Sequence, residues 1–109
     1  MRKISIEFIN EKLRDELLSL KIGDFSDKQL YKFINRAFHD IEKDISCSIK
    51  IPKKIWPKKY KKYGVDNLWK YDLPNGWRLI FTLEKDDLCI VALILEWFSH
   101  KDYEKRFKY

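Results

Sequence analysis

Five side chains in the second half of the chain could do chemistry together if the fold brings them to one place. They are two lysines, an arginine, an imidazole and a phenol: Lys70, Arg78, His100, Lys101 and Tyr103. The guanidinium of Arg78 presents a fork of donors that matches two phosphate oxygens. Histidine is the side chain type most often used for proton transfer, so His100 could transfer a proton, and Tyr103 is a second group that could do so. The set therefore predicts a site that binds a phosphate.

Such a set suits the cleavage of an RNA phosphodiester without a metal ion. A base removes the proton of a 2′-hydroxyl, which attacks the neighbouring phosphate. Cations neutralise the charge that gathers on phosphorus, and an acid protonates the leaving 5′-oxygen. Arg78 would hold the phosphate, and His100 or Tyr103 would move the protons. The alternative is that these charged side chains on a polar strand face are only solvated.

A second basic feature lies in the middle of the chain. The net charge is +6, and residues 47–63 hold seven lysines and no acidic residue. A concentrated positive segment attracts polyanions. We predict that the following lysines, with Lys101, bind RNA: Lys53, Lys54, Lys58, Lys59, Lys61 and Lys62. Trp56, Tyr60 and Tyr63 alternate with them and could stack on bases, or they could pack into the core while the lysines face water.

The length and composition predict one domain over residues 1–109. Of these residues 45% are hydrophobic, which is enough for a single core. No signal peptide is apparent, and the longest uncharged apolar run, residues 88–95, is far short of the roughly 20 residues that span a bilayer. We expect a cytoplasmic protein without a membrane partner. No cysteine or histidine pair has ligand spacing, and the chain has no phosphate-loop or dinucleotide-binding motif, so we expect neither metal nor cofactor.

The first half of the chain predicts one strand and two helices. Apolar residues alternate over residues 4–8, as in a half-buried strand. Asn10 can cap a first helix that ends near Gly23, and Ser26 can open a capping box for a second helix. The residues between Trp56 and Gly64 predict a loop with one helical turn at 58–63.

The second half predicts a sheet. Strands are expected at 68–73, 77–83 and 88–97, the last of them central because it is apolar at almost every position. Ser99 can cap a short closing helix. The whole order predicts an α+β fold in which an N-terminal strand and two helices pack on an antiparallel sheet, with a short C-terminal helix.

The sequence Pro-Asn-Gly at 74–76 predicts a hairpin. We expect a type I turn over the proline and asparagine with a left-handed glycine, which gives a three-residue loop. In that register Asp72 faces Arg78 and Lys70 faces Ile80. The register keeps the three charged side chains on one face and leaves the aromatic residues on the other.

Two motifs resemble a known family. The hairpin LWKYDLPNGWRLIF at 68–81 and the closing SHKDY at 99–103 resemble those of the RelE/ParE-type toxins of toxin–antitoxin pairs. The resemblance implies a RelE-like domain that cleaves messenger RNA, often on the ribosome, through a 2′,3′-cyclic phosphate, and that is held by a cognate antitoxin. It assigns Arg78 to the phosphate, Lys70 to catalysis or RNA binding, and His100 and Tyr103 to the C-terminal catalytic positions.

The chain departs from the family pattern at two points. Asp72 stands where several members have a second basic residue, and His100 and Tyr103 are closer together than in the commonest pattern. Two alternatives therefore stay open. One is a ParE-like toxin that poisons DNA gyrase without RNA chemistry. The other is a non-catalytic RNA-binding or ribosome-binding module with the same fold.

Overall fold

A five-stranded sheet with four helices forms the α+β fold of the computed structural model, which describes residues 3–85 and 88–107. The strands are β1 (Lys3–Phe8), β2 (Ile49–Lys50), β3 (Trp69–Asp72), β4 (Arg78–Lys85) and β5 (Cys89–Phe98). The helices are α1 (Glu11–Lys21), α2 (Phe25–Lys43), α3 (Lys58–Lys61) and α4 (His100–Phe107). The strands lie in the order β1-β5-β4-β3-β2.

The sheet is mixed, and the prediction of an antiparallel sheet was wrong in this respect. β1 pairs with β5 in parallel, whereas the other neighbours are antiparallel. Helices α1 and α2 carry the chain from β1 at one edge of the sheet to β2 at the other edge. β1 therefore lies beside the last strand of the chain rather than the next one. This leaves β5 in the interior of the sheet, as its apolar sequence predicted.

Helices α1 and α2 cover one face of the sheet. The predicted cap of α1 is confirmed, because the Asn10 side chain accepts a hydrogen bond from the backbone N–H of Leu13 at 2.8 Å. The capping box predicted at Ser26 was wrong, because α2 begins earlier. Asp24 is the cap, and it exchanges hydrogen bonds of 2.9 and 3.2 Å with Asp27.

The hairpin between β3 and β4 has the predicted register. Asp72 pairs with Arg78, and Lys70 pairs with Ile80. The type I turn was wrong, because Asn75 has a φ of 62° and joins Gly76 in the left-handed region. Asparagine tolerates this conformation better than most residues, so the loop keeps three residues with a different turn.

The second sheet face is covered by the lysine-rich segment, residues 47–63, and by α4. A β-bulge helps to shape this face. Ile80 pairs with Glu96, but the next residue, Phe81, pairs with Ile94, so that Leu95 is an extra residue in β5. In a regular strand Glu96 would share a face with Ile94, under the helices. The bulge instead turns Glu96 to the second face.

Candidate phosphate-binding site

The hairpin and α4 bring three of the predicted residues together on the second face. The Lys70 Nζ lies 5.3 Å from the centroid of the Tyr103 ring, and the guanidinium carbon of Arg78 lies 5.4 Å from the same centroid. Tyr103 is only 3% exposed, and its ring also packs edge-on against Phe98. The ring is therefore a platform that holds both cations in place. We name Lys70, Asp72, Arg78 and Tyr103 the hairpin corner.

Asp72 partly neutralises the two cations of the hairpin corner. Its Oδ1 lies 2.9 Å from Nε of Arg78 and 3.5 Å from Nζ of Lys70. The Nε–H of Arg78 is not directed at this oxygen, and the atom is buried without a hydrogen-bond partner among the described residues. Another guanidinium nitrogen of Arg78 donates to the Trp77 carbonyl at 3.2 Å. The corner thus has a formal charge of +1, and the buried Nε–H of Arg78 makes no hydrogen bond within the described residues.

His100 lies beside the hairpin turn, at the first residue of α4. A side chain built on Gly76 would place its Cβ 3.0 Å from Cβ of His100, which shows how closely the turn and the helix meet. The imidazole Nε2 lies 2.8 Å from Oε1 of Glu104, and both side chains are more than half exposed. The predicted cap at Ser99 is confirmed by a 3.3 Å hydrogen bond from the N–H of Asp102.

Two predictions were left open for the aromatic residues of the lysine-rich segment, exposure for stacking on bases or packing into the core, and the structure shows some of each. All of the lysines predicted to bind RNA are exposed: Lys53, Lys54, Lys58, Lys59, Lys61, Lys62 and Lys101. Of the aromatics, Tyr60 is fully buried, Trp56 is partly buried and Tyr63 is 37% exposed. Tyr60 is thus a core residue, whereas Trp56 and Tyr63 keep accessible surface. The predicted helical turn is confirmed as α3.

A groove of about 960 Å³ separates the lysine-rich segment from α4. Its basic residues come from both walls: Lys54, Lys58, Lys59, Lys105 and Arg106. Its aromatic residues are Trp56, Trp97, Phe98 and Phe107. Two acidic residues, Glu96 and Asp102, also line it. The groove combines cations with aromatic surface on the same sheet face as the hairpin corner.

Glu96 joins the two walls of this groove at its base. Its carboxylate accepts a short hydrogen bond from the Tyr60 hydroxyl and two bonds, of 2.9 and 3.1 Å, from Arg106. The Lys59 Nζ lies 3.3 Å from the same carboxylate. Burial, reinforced by the Glu96 charge, raises the pKa of Tyr60 well above its usual range, so the phenol stays protonated.

Sequence reasoning did not find these contacts of Glu96 with Tyr60, Lys59 and Arg106, which we name the Glu96 cluster. The sequence did hold one indication of it, an acidic residue that interrupts an otherwise apolar strand, because such a residue needs a partner when it is buried. The partners, Tyr60 and Arg106, lie 36 and 10 residues away in the sequence. Glu96 faces these partners only because of the β-bulge, which the sequence pattern did not indicate.

Comparisons with protein-family models, curated proteins and solved structures gave no match to this chain. Across residues 3–85 and 88–107, no group of acidic, histidine and cysteine side chains could hold a metal ion. In the same part of the chain, none of the helices has the length and apolar character needed to cross a membrane.

Proposed function

We propose that this protein is a RelE-like toxin, a metal-independent endoribonuclease that cleaves messenger RNA in the cytoplasm, with the ribosome as the place of action. The observation that carries the proposal is the contact of Lys70 and Arg78 with the same aromatic ring, that of Tyr103. This contact lies near the hairpin turn, against which His100 packs at the start of α4. Two cations held close together suit the charge that develops on a phosphorane.

The proposed reaction uses the side chains of the hairpin corner and His100. Arg78 and Lys70 bind the non-bridging oxygens of the scissile phosphate, and the incoming phosphate displaces Asp72 as their partner. His100 is exposed and can take the proton of the 2′-hydroxyl as that oxygen attacks the phosphate, and Glu104 orients its imidazole. Solvent water then protonates the leaving 5′-oxygen. Tyr103 positions the two cations.

A cognate antitoxin is the expected protein partner under this proposal. Such a partner would inhibit by covering the hairpin corner or by moving α4, since both Tyr103 and His100 belong to that helix. The family resemblance of the hairpin and the closing motif is the basis for this partner.

A second candidate function is a non-catalytic RNA-binding or ribosome-binding module. It is favoured by the contacts of Asp72 with both cations and by the burial of Tyr103, which is only 3% exposed and so is poorly placed for proton transfer to a substrate. In this candidate the hairpin corner binds a phosphate but does not cleave.

A cell-free translation system tests the proposal. We expect the wild-type protein to stop translation and degrade the message, and Arg78→Ala to do neither while keeping its fold. Arg36→Ala, which removes an exposed arginine from α2, is the matched control and should act like wild type. Intact message with arrested translation would favour the binding module, and inhibition of gyrase supercoiling instead would favour a ParE-like toxin.

A further inference from the structure

The groove between the lysine-rich segment and α4 has features that the hairpin corner does not explain. Its walls come from parts of the chain separated by more than 40 residues, namely Lys54 to Lys59 and Asp102 to Phe107. Its volume, about 960 Å³, is at the upper end for a small-molecule site and far larger than one phosphate needs. The groove therefore suits an extended ligand.

The free cations of the groove define the charge of that ligand. Arg106 and Lys59 are already paired with Glu96, but Lys54, Lys58 and Lys105 have no carboxylate within 4.0 Å in the described part of the chain. These three lysines stand on both walls, and all are exposed. A ligand with several negative charges along its length could bind to both walls at once.

Trp56 indicates what else the ligand carries. The indole N–H donates to the carbonyl of Ile51 at 2.9 Å, which fixes the ring and uses its only polar group. The ammonium of Lys53 lies 5.9 Å from the ring centroid. Trp56 therefore offers the groove an apolar ring surface and no donor. An acidic peptide would use the lysines but gain little from such a ring, whereas a nucleic-acid base can stack on it.

We propose that this groove is a second binding site, which takes single-stranded RNA by its phosphates on the free lysines and by a base on Trp56. The choice of RNA rather than single-stranded DNA rests on the proposed function. The Glu96 cluster joins the two walls of the groove, since Tyr60 and Lys59 from one wall and Arg106 from the other share one carboxylate.

Binding of a fluorescent 2′-O-methyl RNA tests the groove apart from the cleavage reaction, because this RNA has no 2′-hydroxyl to attack. The groove variant is Lys54→Ala/Lys58→Ala/Lys105→Ala. The matched control, Lys28→Ala/Lys32→Ala/Lys43→Ala, removes the same charge from exposed positions of α2. Affinity falls as salt rises, and we expect the groove variant to make this slope of log affinity against log salt shallower by about 2, at roughly 0.7 for each lysine on single strands. The control should lower it by less than half of that.

Trp56→Ala provides the second measurement. We expect about a tenfold weaker affinity with an unchanged salt slope, because stacking is lost and charge is kept. Thermal melting verifies that each variant is folded.

Equal losses of salt slope in the groove variant and the control would overturn the proposal, and so would an acidic peptide of the same charge that displaces the RNA. Failure of cleavage by the wild-type protein would contradict the proposed function but leave these binding results standing. A DNA oligonucleotide bound as tightly as the RNA would overturn the assignment to RNA.

Discussion

The guanidinium of Arg78 lies over the ring of Tyr103, with 5.4 Å between the guanidinium carbon and the ring centroid. This contact joins the start of β4 to the middle of α4. Tyr103 also stacks on Phe107 with their centroids 4.6 Å apart, so one ring links the hairpin corner to the core under the helix. The position of the phosphate-binding cations therefore depends on the packing of α4.

Replacement of Tyr103 tests this dependence. Tyr103→Ala removes a buried ring, and we expect it to lower the free energy of unfolding by about 3 to 5 kcal/mol, the usual range for a buried aromatic residue. Tyr103→Phe keeps the ring and should cost much less stability. Urea denaturation measures both values. If Tyr103 only positions the cations, RNA cleavage by Tyr103→Phe should exceed that by Arg78→Ala, and equal loss in the two would instead indicate a proton-transfer role.

Asp72 competes with a phosphate for the two cations of the hairpin corner. Asp72→Asn removes its charge but keeps its size, so we expect tighter RNA binding and a salt slope that is steeper by about 0.7, the value for one additional phosphate contact on a single strand. Fluorescence anisotropy at several salt concentrations measures both quantities. Asp15→Asn, at an exposed position of α1, is the control. Unchanged affinity in Asp72→Asn would show that phosphate does not bind at Arg78 and Lys70.

The Glu96 cluster should contribute to stability. Glu96→Ala leaves the buried Tyr60 hydroxyl without its acceptor and removes the partner of Arg106. We expect a loss of about 1 to 3 kcal/mol in the free energy of unfolding, the usual cost of an unsatisfied buried polar group. Glu42→Ala, exposed on α2, should change the stability by less than about 0.5 kcal/mol. Equal effects from the two substitutions in urea denaturation would contradict a structural role of the cluster.

Tyr71 should make the protein sensitive to alkaline pH. Burial, together with a 2.6 Å hydrogen bond to Asp40 and the charge of that carboxylate, raises the pKa of Tyr71 from 10.0 to about 12. The folded state therefore holds the phenol proton more tightly than the unfolded state. This contribution to stability is complete below pH 10 and is lost as the pH rises towards 12.

Unfolding experiments between pH 8 and 12 measure this effect. Tyr71→Phe should be less stable than wild type at pH 8 and should lose less stability as the pH rises. The remaining pH dependence would come from groups such as Tyr60, whose pKa is also raised. Parallel pH curves for Tyr71→Phe and wild type would show that Tyr71 does not titrate differently in the two states.

Local signals in the sequence predicted much of the hairpin corner. The register that pairs Asp72 with Arg78 followed from the alternation of polar and aromatic residues, because the other register would have placed the arginine beside Leu73 and Tyr71. The caps at Asn10 and Ser99 depend on hydrogen bonds between residues three apart, and both were correct. Such features need no knowledge of the tertiary fold.

Features that depend on distant parts of the chain were not predicted. Parallel pairing of β1 with β5 joins residues more than 80 positions apart. The bulge at Leu95 changes the face of Glu96, and alternation alone would have placed that residue under α2. β2 has only two residues, too few for a periodic pattern. The sequence therefore predicted three lysines of the groove, Lys54, Lys58 and Lys59, but neither Lys105 nor the shape of the groove.

The products of RNA cleavage test the central claim most directly. A labelled RNA is incubated with wild-type protein or Arg78→Ala, either free in the presence of a metal chelator or on translating ribosomes without the chelator, and the ends of the products are analysed. We predict 2′,3′-cyclic phosphate and 5′-hydroxyl ends with the wild-type protein, and a rate lower by about 10² to 10³-fold with Arg78→Ala, as for the loss of one charge-stabilising donor. Cleavage by Arg78→Ala at the wild-type rate, or intact RNA with the wild-type protein both alone and on translating ribosomes, would contradict the account.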